Sequence, residues 1–440
     1  MSHLSRRLAA GLITGLVLFV PLSAVAVSAP QIAQAAPAVS APSPWEEPRA
    51  LALDCETQLR LLAQLGLEED EAALLWNRFG AELSGVVKEG ALSPAWLEAL
   101  SLPNCREELL DRYAAFLQDN PQLTPEEAVL QVNMGLDRPF YQEPDTLSLS
   151  PGEVDTQVLV NKYHALPRDY EPQLVRLEGL GSGSLAPEAA RAFADMAAAA
   201  RDDGITLRSV SAYRSYATQK ATYNRNLSLY SQRFTDTFSA RPGHSEHQTG
   251  LAVDINSASM LDHFENTAAY AWLQENCARY GFLLRYPEGK DAVTGYRFEP
   301  WHYRYVGEET ASACMAEGLT LEEYFAAQPS SWGEAPRLLC EGQALSLDSA
   351  PLLLGQTWYF PAEEAALALG FTRASDDPSL FTLGERQAAL LPGQRSQVNG
   401  VTLRFTAPAL SLGGQLYLPA DDLGSALGLT LEEAPPAAGA

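Results

Sequence analysis

The period of the hydrophobic positions changes along the chain, and each change marks a segment. Arg6 and Arg7 precede an apolar run from Leu8 to about Ala29, broken by Pro21 and followed by small-residue sites at Ala24-Val25-Ala26 and Ala33-Gln34-Ala35. That pattern predicts a secretory signal peptide over 1–35, with an uncleaved membrane anchor as the alternative. An Ala/Pro/Ser-rich spacer covers 36–44. Helical spacing then takes over, as in Leu59, Leu61, Leu62 and Leu65, and Ser93-Pro94 and Thr124-Pro125-Glu126-Glu127 read as capped helix starts. A helical domain over 45–150 is expected, with nothing in it that carries recognisable chemistry.

From 155 to 328 short strands interleave with helices. Helices are expected from Pro187 to the Gly204 cap, from Tyr216 to Tyr230 and from Asn266 to Tyr280. Strands are expected over Ile205–Ser211, Leu251–Ile255, Phe282–Tyr286 and Gly295–Tyr305. The connections between the later strands are too short for parallel crossovers, so the fold class is α+β with an antiparallel sheet and flanking helices.

The last segment, 337–432, repeats itself. Pro351 to Gly370 is echoed by Pro408 to Gly428, and the last glycine stands nine positions after the second proline in both copies. Each copy reads as strand, turn, strand, short helix, so a compact pseudo-symmetric α+β domain is expected. It resembles the copper-amine-oxidase amino-terminal-like domain, which implies an accessory module for cell-wall contact with no chemistry of its own.

Charge narrows the partners. With 30 Lys+Arg against 55 Asp+Glu the chain carries −25, which argues against nucleic acid and anionic membranes. Five cysteines, at 55, 105, 277, 314 and 340, have no Cys-x-x-Cys spacing, so a cysteine zinc site is not expected. An oxidising compartment allows the pairs Cys55–Cys105 and Cys277–Cys314, with five buried free thiols as the alternative.

Two stretches carry the candidate chemistry: Arg241-Pro242-Gly243-His244-Ser245-Glu246-His247, running on through Gly250 to Asp254, and Glu299-Pro300-Trp301-His302. On the strand Leu251–Ile255, Asp254 shares a face with the small Ala252 and would be a carboxylate among apolar neighbours, costly unless it meets a cation. His247, Asp254 and His302 make a sound catalytic zinc set with an open position. Glu299, held extended before Pro300, can approach the same centre as a base.

These residues resemble the VanY-type zinc D-alanyl-D-alanine carboxypeptidases over about 159–325, through Ser245-x-His247-x-x-Gly250-x-Ala252-x-Asp254, Glu299-x-x-His302 and an upstream Ser211-Ala212-Tyr213-Arg214-Ser215 with Gln219. The resemblance implies a hedgehog/D,D-peptidase-like catalytic domain over 155–328, with zinc on His247, Asp254 and His302 and Glu299 as general base. It further implies Arg214 at the developing oxyanion and Ser245 along the substrate groove. The implied substrate is a peptidoglycan stem peptide ending in D-Ala-D-Ala, trimmed by an exported enzyme, extracellular, wall-associated or membrane-anchored. An endopeptidase of the same fold and a non-catalytic zinc-containing wall-binding protein are the alternatives. The latter has no need of Glu299.

Overall fold

The computed structural model describes residues 46–80, 83, 94–257 and 263–436. The expected signal segment over 1–35, the spacer over 36–44 and the Ser93 cap lie outside the described residues. No helix among those described is long and apolar enough to cross a membrane. Two compact units form, and the boundary between Leu102 and Pro103 falls inside the segment read as one helical domain.

One unit joins the first helices to the repeat region. Trp76, buried on the helix Glu69–Phe79, donates its indole N–H to the Leu353 carbonyl at 2.9 Å, and Asn77 bridges the Pro351 carbonyl and the Leu353 amide. These bonds tie the helix to the edge strand Leu352–Leu354 of an eight-stranded sheet. Both repeat copies adopt the strand, strand, helix order. Thr357–Pro361 leads into Ala362–Ala368, and Gln415–Leu418 leads into Ala420–Leu427. The equivalent strands pair antiparallel at Phe360 and Leu418, so the internal repeat becomes a structural pseudo-symmetry about that pair.

The other unit, 103–329, carries the four-stranded sheet that organises the candidate site. Its strands are β1 (Arg208–Ser211), β2 (Ala252–Asn256), β3 (Phe282–Leu284) and β4 (His302–Tyr305), in the order β1-β2-β4-β3 with every pair antiparallel. Helix α1 (Pro187–Asp202) lays Phe193, Met196 and Ala200 into the core beside Val253, Ile255, Phe282 and Tyr303. Helix α2 (Tyr216–Leu229) starts at Ser215, whose hydroxyl accepts from the Thr218 amide.

The elements are mostly shorter than the sequence suggests. β4 begins only at His302, because 295–301 form bends and loop and Pro300 has no N–H to give a ladder. The helix expected to reach Tyr280 ends at Asn276 and tightens into a 3-10 turn over Cys277–Tyr280. None of the five cysteines is in a disulfide, so neither Cys55–Cys105 nor Cys277–Cys314 forms, and Cys55 and Cys105 belong to different units.

Candidate metal centre

Strand register assembles the centre. Asp254 on β2 stands directly opposite His302 on β4 and opposite Ser211 on β1, so one carboxylate is placed between two strands. His247 arrives from a 3-10 turn, Glu246–Thr249, that ends on Gly250 with φ of 73°. A side chain at Gly250 would be strained at that φ and would sit 3.1 Å from Pro172 and 3.2 Å from the Ala186 amide, so the turn into β2 requires glycine here.

Ligand atoms of His247, Asp254 and His302 all lie within 4.8 Å of one another. His247 Nδ1 donates to the Ala212 carbonyl at 2.7 Å, which fixes the tautomer and leaves Nε2 as the lone pair, 3.4 Å from Asp254 Oδ2. His302 is oriented the other way round. Its Nδ1 faces Asp254 Oδ1 at 3.1 Å, while Nε2 faces the Glu246 carboxylate at 3.4 Å. Two imidazole nitrogens with anchored opposite nitrogens and one carboxylate form a donor set suited to zinc, with room for a further ligand.

The charges at the centre are coupled. Burial works against charge on His302, but the bonds to Asp254 and Glu246 prevail and raise its pKa to about 9. Burial also opposes the Asp254 carboxylate, and the two histidines outweigh it, holding it well below the usual range. A carboxylate kept ionised between two imidazoles is a cation site by its electrostatics.

Glu299 lies at the end of the loop before β4, 8% exposed. Its amide donates to the Tyr286 carbonyl at 3.1 Å and its own carbonyl accepts from the His302 amide at 3.1 Å, so backbone bonds fix its placement three residues before His302. Burial, opposed by His302, pushes the Glu299 carboxyl up to about 7, where a general base working near neutrality is most useful. Arg214 stands on the loop after β1, and its amide donates to the His247 carbonyl at 3.0 Å. Its guanidinium donates to Gln219 Oε1 at 2.8 Å and to the Ser211 hydroxyl at 2.9 Å, and sits 3.9 Å from Asp254 Oδ2. Gln219 in turn donates to the Ala240 carbonyl at 2.6 Å, so it acts as the clamp on Arg214. Ser245, buried two residues before His247, has no hydrogen-bond partner for its hydroxyl among the described residues. His244 is structural: its Nδ1 donates to the Asn161 carbonyl at 2.7 Å and its ring packs edge-on against Tyr141.

Sequence reasoning missed what stands behind the centre. Glu246 is fully buried and accepts from Arg285 Nε at 2.7 Å, from Arg304 at 2.9 Å and from His302 Nε2. Arg285 makes a bidentate pair with the buried Glu322 at 2.8 and 2.7 Å. Arg304 spends its remaining donors on the carbonyls of Thr156, Val158 and Tyr305. Two carboxylates and two guanidiniums thus neutralise one another beneath β4, and one carboxylate of the set reaches a metal-centre histidine. The available signal was charge within apolar strand context, at Arg285 after Phe282-Leu283-Leu284 and at Arg304 between two tyrosines.

Comparison with known proteins bears on the family. Residues 182–308 match the family model described as VanY, D-alanyl-D-alanine carboxypeptidase. The putative carboxypeptidase YodJ of Bacillus subtilis is 43% identical over 179 residues, 38% of this chain and 66% of its own length. A D-alanyl-D-alanine carboxypeptidase of Enterococcus faecalis is 38% identical over 196 residues, 41% of this chain and 71% of its own. A solved vancomycin-resistance D,D-pentapeptidase in complex with Zn(II) is 36% identical over 38% of this chain and 98% of its own, with a TM-score of 0.35. The motifs, the sequence identity and the matched model together place the chain in the VanY family of D-alanyl-D-alanine carboxypeptidases.

Proposed function

We propose that the protein is a zinc-dependent D,D-carboxypeptidase that removes the terminal D-Ala from peptidoglycan stem peptides. The observation that supports this most is the cluster of His247, Asp254 and His302, with buried Glu299 and the clamped Arg214 beside it. His247 Nε2, an Asp254 oxygen and His302 Nδ1 would hold zinc. When bound, zinc supplies Lewis-acid activation of water and of the scissile carbonyl. Glu299 takes the proton from the attacking water and returns it to the leaving D-Ala nitrogen, a transfer for which a carboxyl raised to about 7 is well matched. Arg214, fixed by Gln219 and Ser211, places its guanidinium where negative charge grows on the carbonyl oxygen. The free hydroxyl of Ser245 serves the substrate.

The reading is tested by stripping the protein with a chelator, restoring zinc and following a Lys-D-Ala-D-Ala peptide by mass spectrometry. Loss of one alanine that returns only with zinc supports it. An intact peptide overturns it, and cleavage at an internal bond of a longer stem peptide makes the enzyme an endopeptidase instead.

Export is part of the proposal, since the substrate lies outside the cytoplasm and the first 35 residues read as a signal or anchor. Cell fractionation that leaves the protein in the cytosol would refute it. The repeat region over 337–432 is proposed as a wall-contact module, and sedimentation with purified cell walls, with and without that region, tests it; equal pelleting would refute it.

A further inference from the structure

The catalytic unit contains a concave feature that the chemistry above does not use. It is an open pocket of about 790 Å³ in which Lys162, Arg233, Arg241 and Arg297 face only Asp236 and Asp291. In a chain of net charge −25, a cavity with a surplus of cations stands out. Asp236 is already engaged, by Arg241 at 2.8 Å and by the Tyr223 hydroxyl at 2.7 Å. Among the described residues Arg233 and Arg297 have no carboxylate within ion-pair distance, and both are exposed to the cavity.

Lys162 is buried, yet its ammonium meets no carboxylate. It donates to the backbone carbonyls of Asp236 and Gly295 at 2.7 and 2.5 Å and lies 4.5 Å from the centre of the Tyr296 ring and 4.8 Å from that of Phe140. Burial depresses its pKa to about 8, the cost of a cation kept without an anion. Aromatic side walls from Phe140, Tyr141 and Phe234 would take the aliphatic stem of a ligand while the cations take its charge.

The pocket is linked to the metal centre by covalent and packed routes. Arg297 precedes Glu299 by two residues and pulls on its carboxyl, and Arg241 precedes His247 by six. Rings connect the two places: His302 to Tyr286 at 4.9 Å, Tyr286 to Tyr296 at 4.8 Å, and the Tyr296 hydroxyl to that of Tyr141 at 3.2 Å.

We propose that this pocket is a specificity subsite for a carboxylate borne by the substrate a few residues before the scissile bond, so that the enzyme prefers stem peptides whose acidic residue is free over those in which it is amidated. The inference rests on the carboxypeptidase reading and narrows its substrate class. A charge-assisted arginine–carboxylate contact, which an amide cannot make, distinguishes acid from amide by roughly tenfold.

The test measures kcat/KM for D-Ala release by the full-length zinc enzyme from L-Ala-γ-D-Glu-Lys-D-Ala-D-Ala and from the same peptide carrying the α-amide of its glutamate, with Lys-D-Ala-D-Ala as reference. The acid is expected to exceed the amide by roughly tenfold or more at moderate ionic strength, with the ratio narrowing as salt is raised. In an R233Q/R297Q double variant the ratio, which is independent of any loss of folded protein, is expected to fall towards one. Equal rates for acid and amide in the wild type, or an undiminished ratio in the variant, would overturn the subsite while leaving the carboxypeptidase reading in place. No release from Lys-D-Ala-D-Ala itself would instead overturn the reading on which the subsite rests.

Discussion

Replacing Glu246 by glutamine probes the ionic network and the metal centre at once. The side chain keeps its shape but loses its charge, so Arg285 keeps its bidentate bonds to Glu322 while Arg304 is left with carbonyl acceptors only. Both guanidiniums are fully buried, and one buried positive charge is then uncompensated. Breaking a buried pair from one side costs about 3–5 kcal/mol, and glutamine, which retains one carbonyl oxygen, should fall towards the lower end. His302 loses the carboxylate that orients its Nε2–H, and the loss of such an outer partner lowers metal affinity about 10–100-fold. The assays are urea unfolding of the metal-free protein and competition for zinc against a chromophoric chelator. Glu322→Gln is the control: it injures the same network without touching His302, so stability should drop while zinc affinity holds. A Glu246→Gln protein that binds zinc as the wild type does and unfolds at the same urea concentration would refute the reasoning.

Other expectations concern catalysis. Because Glu299 must be ionised to accept a proton, kcat/KM should fall on the acid side, with its limb at or below pH about 7, since a nearby metal cation can only lower the metal-free value. A limb lying above pH 8, or a profile flat down to pH 4, would contradict the assignment of the base. Arg214→Ala should reduce kcat by about 10²–10³-fold while leaving zinc content unchanged, the mark of a group that acts on the developing oxyanion. Gln219→Ala, which releases the Arg214 clamp, should give a smaller fall in kcat. Full activity in that variant would show that Ser211 alone suffices to hold the guanidinium.

Legibility in the sequence followed the physics of each feature. Asp254, His247, His302 and Glu299 were readable because a carboxylate on a strand among apolar residues, two nearby histidines and an acid locked before a proline each need an explanation, and one cation site explains all of them. The strand register that sets Asp254 opposite His302 was not readable, since it depends on a long-range pairing across 48 residues. Glu246, Arg285, Arg304 and Glu322 escaped notice for a related reason. A charged residue in isolation looks like a solvated one, and only the fold reveals that their charges cancel in the interior. Glu322 was further disguised, because in the first turn of the helix Leu321–Ala327 an acid ordinarily serves the helix dipole. Helical periodicity identified the helices between 45 and 133, but no local signal marks the break between Leu102 and Pro103. Which helices pack on the repeat region and which join the catalytic unit is decided by partners such as Leu353 for Trp76 and Ala326 for Asn104.

The charge of the chain acquires a local meaning. An acidic protein proposed to work on an anionic wall polymer concentrates cations where substrate would lie, in Arg214 beside the metal centre and in the pocket around Lys162 and Arg297.

The central claim is that zinc binding and turnover reside in different residues of one cluster. It is tested most directly by zinc content and D-Ala release measured side by side on wild type and Glu299→Gln. The account predicts one zinc per chain in both proteins, with release from Lys-D-Ala-D-Ala by the wild type alone. Release by Glu299→Gln at the wild-type rate, or a zinc-loaded wild type that leaves the peptide intact, would contradict it.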